Sequence, residues 1–120
     1  MAVRAVRGAT QVEADDRDQI LEATTELVAA VMARNELSTD DVISVIFTVT
    51  PDITAEFPAL AARKLGFHDV PLLCATEIGV PGALPLVIRL MAHIETARPR
   101  ADDQHVYLRG ATALRLDIAQ

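Results

Sequence analysis

Arg89 is the side chain in this sequence best suited to chemistry, a permanent charge inside the apolar run Leu84-Pro85-Leu86-Val87-Ile88-Arg89-Leu90-Met91-Ala92. An arginine does not shed its proton to escape a dry setting, so burying it is costly unless an anion meets it. That anion is either a carboxylate of the protein, with Glu77 and Glu95 the candidates, or a ligand arriving from solution. Arg7, Arg63, Arg115, Glu77, the single tyrosine Tyr107 and the single cysteine Cys74 complete the set. Several of these interrupt apolar segments or sit at the ends of expected strands, where ligand sites of α/β sheets gather.

Each also has an ordinary structural role. Arg7 fits a solvent-exposed strand end, Tyr107 a core or edge aromatic, and Cys74 a small buried hydrophobe. Arg63, next to Lys64, suits the charge that complements a helix C-terminus. Taken together, arginines, one carboxylate and one phenol suit a small polyanion held by charge and shape. The chemistry that follows is electrostatic and positional catalysis, or simple binding. No serine or cysteine nucleophile motif and no phosphate-cradling glycine loop is present. His68, His93 and His105 lie far apart and CxxC spacing is absent, so no metal site is expected.

The elements that must position these residues follow from periodicity. Alternation over 2–8 predicts a strand with Val3, Ala5 and Arg7 on one face; if that face is the covered one, Arg7 points inward. Asp15, Asp16 and Asp18 are cap and first-turn acids for a helix reaching about Asn35, with Ile20, Leu27, Val28 and Val31 as its apolar stripe. The β-branched run over 42–50 predicts a strand buried on both faces. A short helix over 54–65, closed by Gly66, and a third strand over 70–76 follow. After the Gly79-Val80-Pro81-Gly82 loop, 83–96 reads as a helix with Pro85 in its first turn. A fourth strand over 105–109 and a short terminal strand over 112–115 complete a βαβαβαβ order, the signature of a sheet covered by helices in the α/β or α+β class.

Bulk properties narrow the functional classes. A chain of 120 residues is one domain, and a domain of this size buries roughly two thirds of its unfolded surface. Hydrophobic residues make up 51% and mean hydropathy is +0.26, an excess that points to a homo-oligomer. A net charge of −6 argues against nucleic acid. Ten arginines stand beside a single lysine, a bias that GC-rich coding explains as readily as function. No apolar run approaches the roughly 18 residues of a membrane span, and no secretory signal is visible. The expected setting is the cytoplasm, with no membrane or metal partner.

Three segments carry a resemblance. Val6-Arg7-Gly8-Ala9-Thr10, then Thr50-Pro51-Asp52 with Phe57-Pro58-Ala59, and finally His105-Val106-Tyr107-Leu108 with Leu114-Arg115 resemble the monofunctional, trimeric chorismate mutases, in register over nearly the whole chain. The resemblance implies one domain over 1–120, a pseudo-α/β-barrel subunit with a mixed sheet, and a homotrimer whose active sites lie between subunits. It implies the cofactor-free, Claisen-type rearrangement of chorismate to prephenate, in the branch leading to phenylalanine and tyrosine. Arg89 would then face the ether oxygen, Arg7 a carboxylate near it, Tyr107 the enolpyruvyl carboxylate and Glu77 the ring hydroxyl, with Cys74 nearby. Phe57, Ala59, Leu73 and Leu114 would line the pocket, and Arg63 and Arg115 close its mouth. Leu60 departs from the pattern, which has a basic residue at the entrance. Two other readings compete: an imine or enamine deaminase on a similar trimeric barrel, and a non-catalytic carboxylate-binding module.

Overall fold

A computed structural model of the chain describes residues 1–116, and the side chains of residues 1–114. Its elements in chain order are β1 (Ala2–Gln11), α1 (Arg17–Arg34), β2 (Val42–Val49), α2 (Ala59–Lys64), β3 (Leu72–Thr76), β4 (Val87–Thr96) and β5 (Val106–Tyr107). Short 3-10 turns occupy Thr39–Asp41, Arg100–Asp102 and Arg109–Leu116. The strands form one mixed sheet in the order β3-β2-β4-β1-β5. β4 runs antiparallel to both β1 and β2, whereas β3 and β5 pair in parallel with β2 and β1 at opposite edges.

The largest correction concerns Arg89. The segment expected as a helix over 83–96 is β4, at the centre of the sheet. Ala, Leu, Met, Arg and Glu favour a helix in isolation, but the run alternates strictly once Val87 is passed. Ile88, Leu90, Ala92, Ile94 and Thr96 are buried, and Arg89, Met91, His93 and Glu95 take the intervening positions. A period of two with β-branched ends fits a pleated strand, and tertiary pairing on both sides overrides propensity.

The buried side of the sheet packs on the helices. Val6 of β1, Val45 and Phe47 of β2, and Leu90, Ala92 and Ile94 of β4 form one core with Leu27, Val28 and Val31 of α1 and Ala62 of α2. Gly8 lets α1 approach, since a Cβ there would meet Leu27 Cδ1 at 3.1 Å and Val31 Cγ2 at 3.2 Å. Asp16 caps α1 by accepting the Gln19 N–H. Past α2, Gly66 adopts φ +102°, the left-handed conformation that ends the helix.

Among the described residues, no α-helix packs over the opposite side. Val3, Ala5, Arg7 and Ala9 lie there with Glu95, His93, Met91 and Arg89, to which they pair directly, and with Ile46 and Thr48 of β2. The face of β1 that carries Arg7 is thus the open one, and β2 is buried on one side rather than two. Helix 54–65 shortens to α2 because Phe57 precedes Pro58, which disfavours helical backbone, and because the Thr54 and Ala55 amides donate to Asp15 instead. The expected terminal strand lies within the 3-10 turn Arg109–Leu116.

Candidate active site

Register across the open face brings the opening candidates together. Thr48 of β2, Arg89 of β4, Ala9 of β1 and Tyr107 of β5 stand side by side in one row, and Arg7 opposes Met91 one pleat along. These residues and Ile46 wall a cleft of about 280 Å³. Two guanidinium groups, a phenol and the Thr48 hydroxyl on an apolar floor are the groups that suit a small anion.

Glu77 completes the cluster from the segment after β3, where its N–H donates to the Val49 carbonyl at 2.8 Å. Its Oε2 stands 3.2 Å from Arg89 Nε and accepts the Thr48 hydroxyl at 2.6 Å. Of the two roles open to Arg89, the ion pair with Glu77 is therefore made. It does not exclude the other, because Arg89 still lines the cleft. Thr48 escaped the reading of the sequence. Its signal was a hydroxyl amid β-branched residues, on the same pleat face as Ile46.

The remaining candidates collect elsewhere. Phe57 and Cys74 wall a second cleft of about 270 Å³ with residues 54–56, Pro58 and Thr76. Phe57, Ala59, Arg63, Leu73 and Cys74 line a third, of about 430 Å³, to which Leu60 also belongs. Cys74 opposes Phe47, so its side chain sits on the helix side of β3, half-buried against the core. Leu73 points to the open face and is 61% exposed, and Phe57 is 68% exposed. Leu114 is half-buried on the final 3-10 turn and walls none of these clefts; the Arg115 side chain lies outside the described residues. Within one chain, then, Arg7, Glu77, Arg89 and Tyr107 form one group and the β3-edge residues another. β3 and β5 are four strand spacings apart, roughly 19 Å.

Two loops outside the cleft hold the walls in place. Asp52 accepts the Leu86 N–H with both carboxylate oxygens, at 3.2 and 3.1 Å, and the Thr50 hydroxyl as well. Leu86 has φ +54°, a strained value for a branched residue, immediately before β4. Asp15 accepts from Thr54 N and Oγ1 and from Ala55 N, and Arg17 Nε donates to Glu56 at 2.8 Å. The Phe57 N–H also donates to Glu56, at 2.9 Å, and these hydrogen bonds hold both carboxyls below their ordinary pKa values, led for Asp15 by the Thr54 amide and for Glu56 by the Phe57 amide.

Comparison with known families turns this geometry into an assignment. The family profile described as chorismate mutase type I matches residues 3–118. The chain belongs to that family. Chorismate mutase AroH of Thermus thermophilus is 49% identical over 117 residues, 97% of this chain and 96% of the relative. AroH of Bacillus subtilis is 38% identical over 120 residues, covering 99% and 94%. A solved chorismate mutase from Clostridium thermocellum superposes with a TM-score of 0.91 at 45% identity, covering 92% of this chain and 98% of that one. The type I assignment agrees with the mixed sheet backed by helices. No described helix is long and apolar enough to cross a membrane. Among the described residues, no group of three or more His, Cys, Asp or Glu is placed to hold a metal ion.

Proposed function

We propose that this type I chorismate mutase isomerises chorismate to prephenate in a site that two copies of the chain build together. The observation that carries the reading is the row Thr48–Arg89–Ala9–Tyr107, with Arg7 beside it and Glu77 on Arg89. The rearrangement breaks one C–O bond as one C–C bond forms, and negative charge grows on the ether oxygen. A fixed guanidinium aimed at that oxygen stabilises the transition state more than the ground state, which is what raises turnover. Arg89 takes that role. Arg7 binds a carboxylate close to the same oxygen, Tyr107 hydrogen-bonds the enolpyruvyl carboxylate, and Glu77 accepts the ring hydroxyl while keeping Arg89 in line. Confinement to the compact conformer brings the two carbon termini together. No step calls for a cofactor or covalent intermediate.

The separation of the two groups supports the shared site. Phe57, Ala59, Arg63, Leu73 and Cys74 are too far around the β3 edge to close over a ligand beside Tyr107 of the same chain. A neighbouring copy's β3 edge, laid on the open face, supplies the missing wall. It also covers Val3, Met91 and Ile46, which are 60%, 36% and 37% exposed in a single chain. Threefold repetition of that heterologous contact closes a ring, the homotrimer. Leu114, which walls no cleft of a single chain, is a pocket-lining residue only in the assembled site. Leu60 replaces the basic entrance residue, so attraction of the dianion falls to Arg63 and the inner arginines, against a chain charge of −6. The free Cys74 asks nothing of an oxidising compartment, in keeping with a cytoplasmic enzyme.

Complementation tests both halves of this reading. Arg89→Ala and Arg63→Ala copies, each impaired alone, are unfolded together and refolded as a mixture. Sites that draw Arg89 from one copy and Arg63 from the next regain about a quarter of the wild-type number, counted for random assembly of a closed ring. Loss of chorismate absorbance with no added metal reads the activity. A mixture no more active than the mean of its parents rules out the shared site, and a wild-type chain that leaves chorismate untouched rules out the activity.

A further inference from the structure

The motif His105-Val106-Tyr107-Leu108 contains a group that the proposed reaction does not use. β5 is two residues long and lies at an edge of the sheet, yet it carries Tyr107. Its pairing with β1 is limited to Gly8 with Val106 and Ala9 with Tyr107, closed at the far end by Leu108 N donating to the Ala9 carbonyl at 2.9 Å. At the near end, a continued parallel ladder would offer the Gln104 carbonyl to the Arg7 N–H. That carbonyl is taken by Asn35 Nδ2 at 2.9 Å, and the Gln104 N–H returns to Asn35 Oδ1 at 2.8 Å. The Arg7 N–H goes instead to His105 Nδ1 at 3.0 Å.

We propose that His105 is a positioning residue: its neutral imidazole takes the place of a ladder carbonyl for the Arg7 N–H, and so keeps Tyr107 and Arg7 in register. The proposal rests on the reading of Arg7 and Tyr107 as substrate ligands. An acceptor at Nδ1 requires the tautomer protonated at Nε2, and an imidazolium has no acceptor at all. Protonation therefore removes the Arg7 bond and places a second cation against β1. The surroundings oppose that protonation. Arg4 from β1 and Arg100 and Asp103 from the connector line one cleft with His105, and Arg7 lies across the hydrogen bond. Burial first, then the charge of Arg7, hold the imidazole below its ordinary pKa, with Asp103 pulling the other way. The enzyme is thus poised to lose its register in acid.

The test pairs kinetics with a signal independent of turnover. The Arg7 backbone amide, followed by ¹H–¹⁵N NMR, should shift with pH at a midpoint below about 6.5, the ordinary histidine value, and kcat/KM should fall across the same midpoint. His105→Asn offers a side-chain oxygen in place of Nδ1 with no charge to gain. It should keep kcat/KM within about twofold at neutral pH and lose that acid limb. His105→Leu should lose about fivefold to tenfold in kcat/KM at neutral pH, the range expected for one hydrogen bond. An Arg7 amide indifferent to the histidine titration, or an acid limb unchanged in His105→Asn, overturns the proposal. If His105→Leu does not fold, those two measurements decide alone. Arg7→Ala and Tyr107→Phe keep the levels apart: full activity in both overturns the site reading, whereas crippled variants with a silent Arg7 amide overturn only the role of His105.

Discussion

Arg89 and Glu77 form an ion pair of 3.2 Å that joins the centre of β4 to the segment leaving β3. The pair is partly in solvent, with the two side chains 34% and 19% exposed, so its worth lies in orientation more than in stability. Glu77 meets the guanidinium at Nε, and Arg89 lines the cleft. Removing the donor aimed at a developing oxyanion costs about 10²–10³ in rate, so Arg89→Ala should lower kcat by at least that much. Arg89→Lys should rescue little, because an ammonium lacks the planar fork. Chorismate absorbance gives the rate, and sedimentation shows whether assembly is intact. A variant that unfolds while keeping its activity per folded molecule would make Arg89 structural instead.

Thr48 is the third member of that unit, and its hydroxyl sits on the very oxygen that faces Arg89. Thr48→Val keeps the shape and the β-branch but removes the donor. Glu77 then gains freedom to swing away from the guanidinium. The expected result is a fall in kcat of about tenfold to a hundredfold, the weight of one hydrogen bond to a charged group, with a near-normal melting temperature. An unchanged kcat would mean that Glu77 needs no second anchor.

Much of the candidate site is legible in the sequence, because its residues stand out chemically. A cation in an apolar run, the only tyrosine and a loop carboxylate are visible without a fold, and Gly8 in Arg7-Gly8-Ala9 proves to be the place where α1 lies against β1. The surroundings of Arg89 are hidden because Ala, Leu, Met, Arg and Glu point to a helix locally, while the alternation that makes β4 a strand is enforced by neighbours on both sides. The open face of β1 was equally hidden. Val3 and Ala5 look like core residues until it is seen that both helices lie on the other side. Thr48, Asp52 and His105 act through partners 29, 34 and 98 positions away, a distance that periodicity does not span.

Asp52 explains why Thr50-Pro51-Asp52 matters without touching the cleft. Its carboxylate holds the amide of Leu86 in a left-handed conformation that costs of order 1–3 kcal/mol for a non-glycine residue, three residues ahead of Arg89. Asp52→Ala leaves the strained turn without its clamp. The start of β4 should relax, lowering the melting temperature by a few degrees and kcat by about tenfold, in line with the cost of misplacing a catalytic group. Adding Leu86→Gly, which removes the penalty on a positive φ, should restore most of the stability. A double variant no more stable than Asp52→Ala would show that the clamp has another purpose.

The junction between α1 and the loop carrying Phe57 is held by two carboxylates that acid should release. Asp15 accepts three hydrogen bonds from Thr54 and Ala55, and Glu56 accepts from Phe57 N and Arg17. Both carboxyls lie below their ordinary values of 3.8 and 4.5 in the folded chain. A depressed folded pKa means that the unfolded chain binds the proton more tightly. The stabilisation is therefore complete above the ordinary values and is lost as pH falls through the lowered ones. Melting temperature should be flat from neutrality to about pH 5 where these two groups are concerned, then drop in more acidic buffer. Asp15→Asn, which has no proton to gain there, should melt lower at neutral pH and show a shallower acid decline. Because the same loop presents Phe57, KM should rise in that variant more than kcat falls. Identical acid slopes in the two proteins would separate Asp15 from the acid transition.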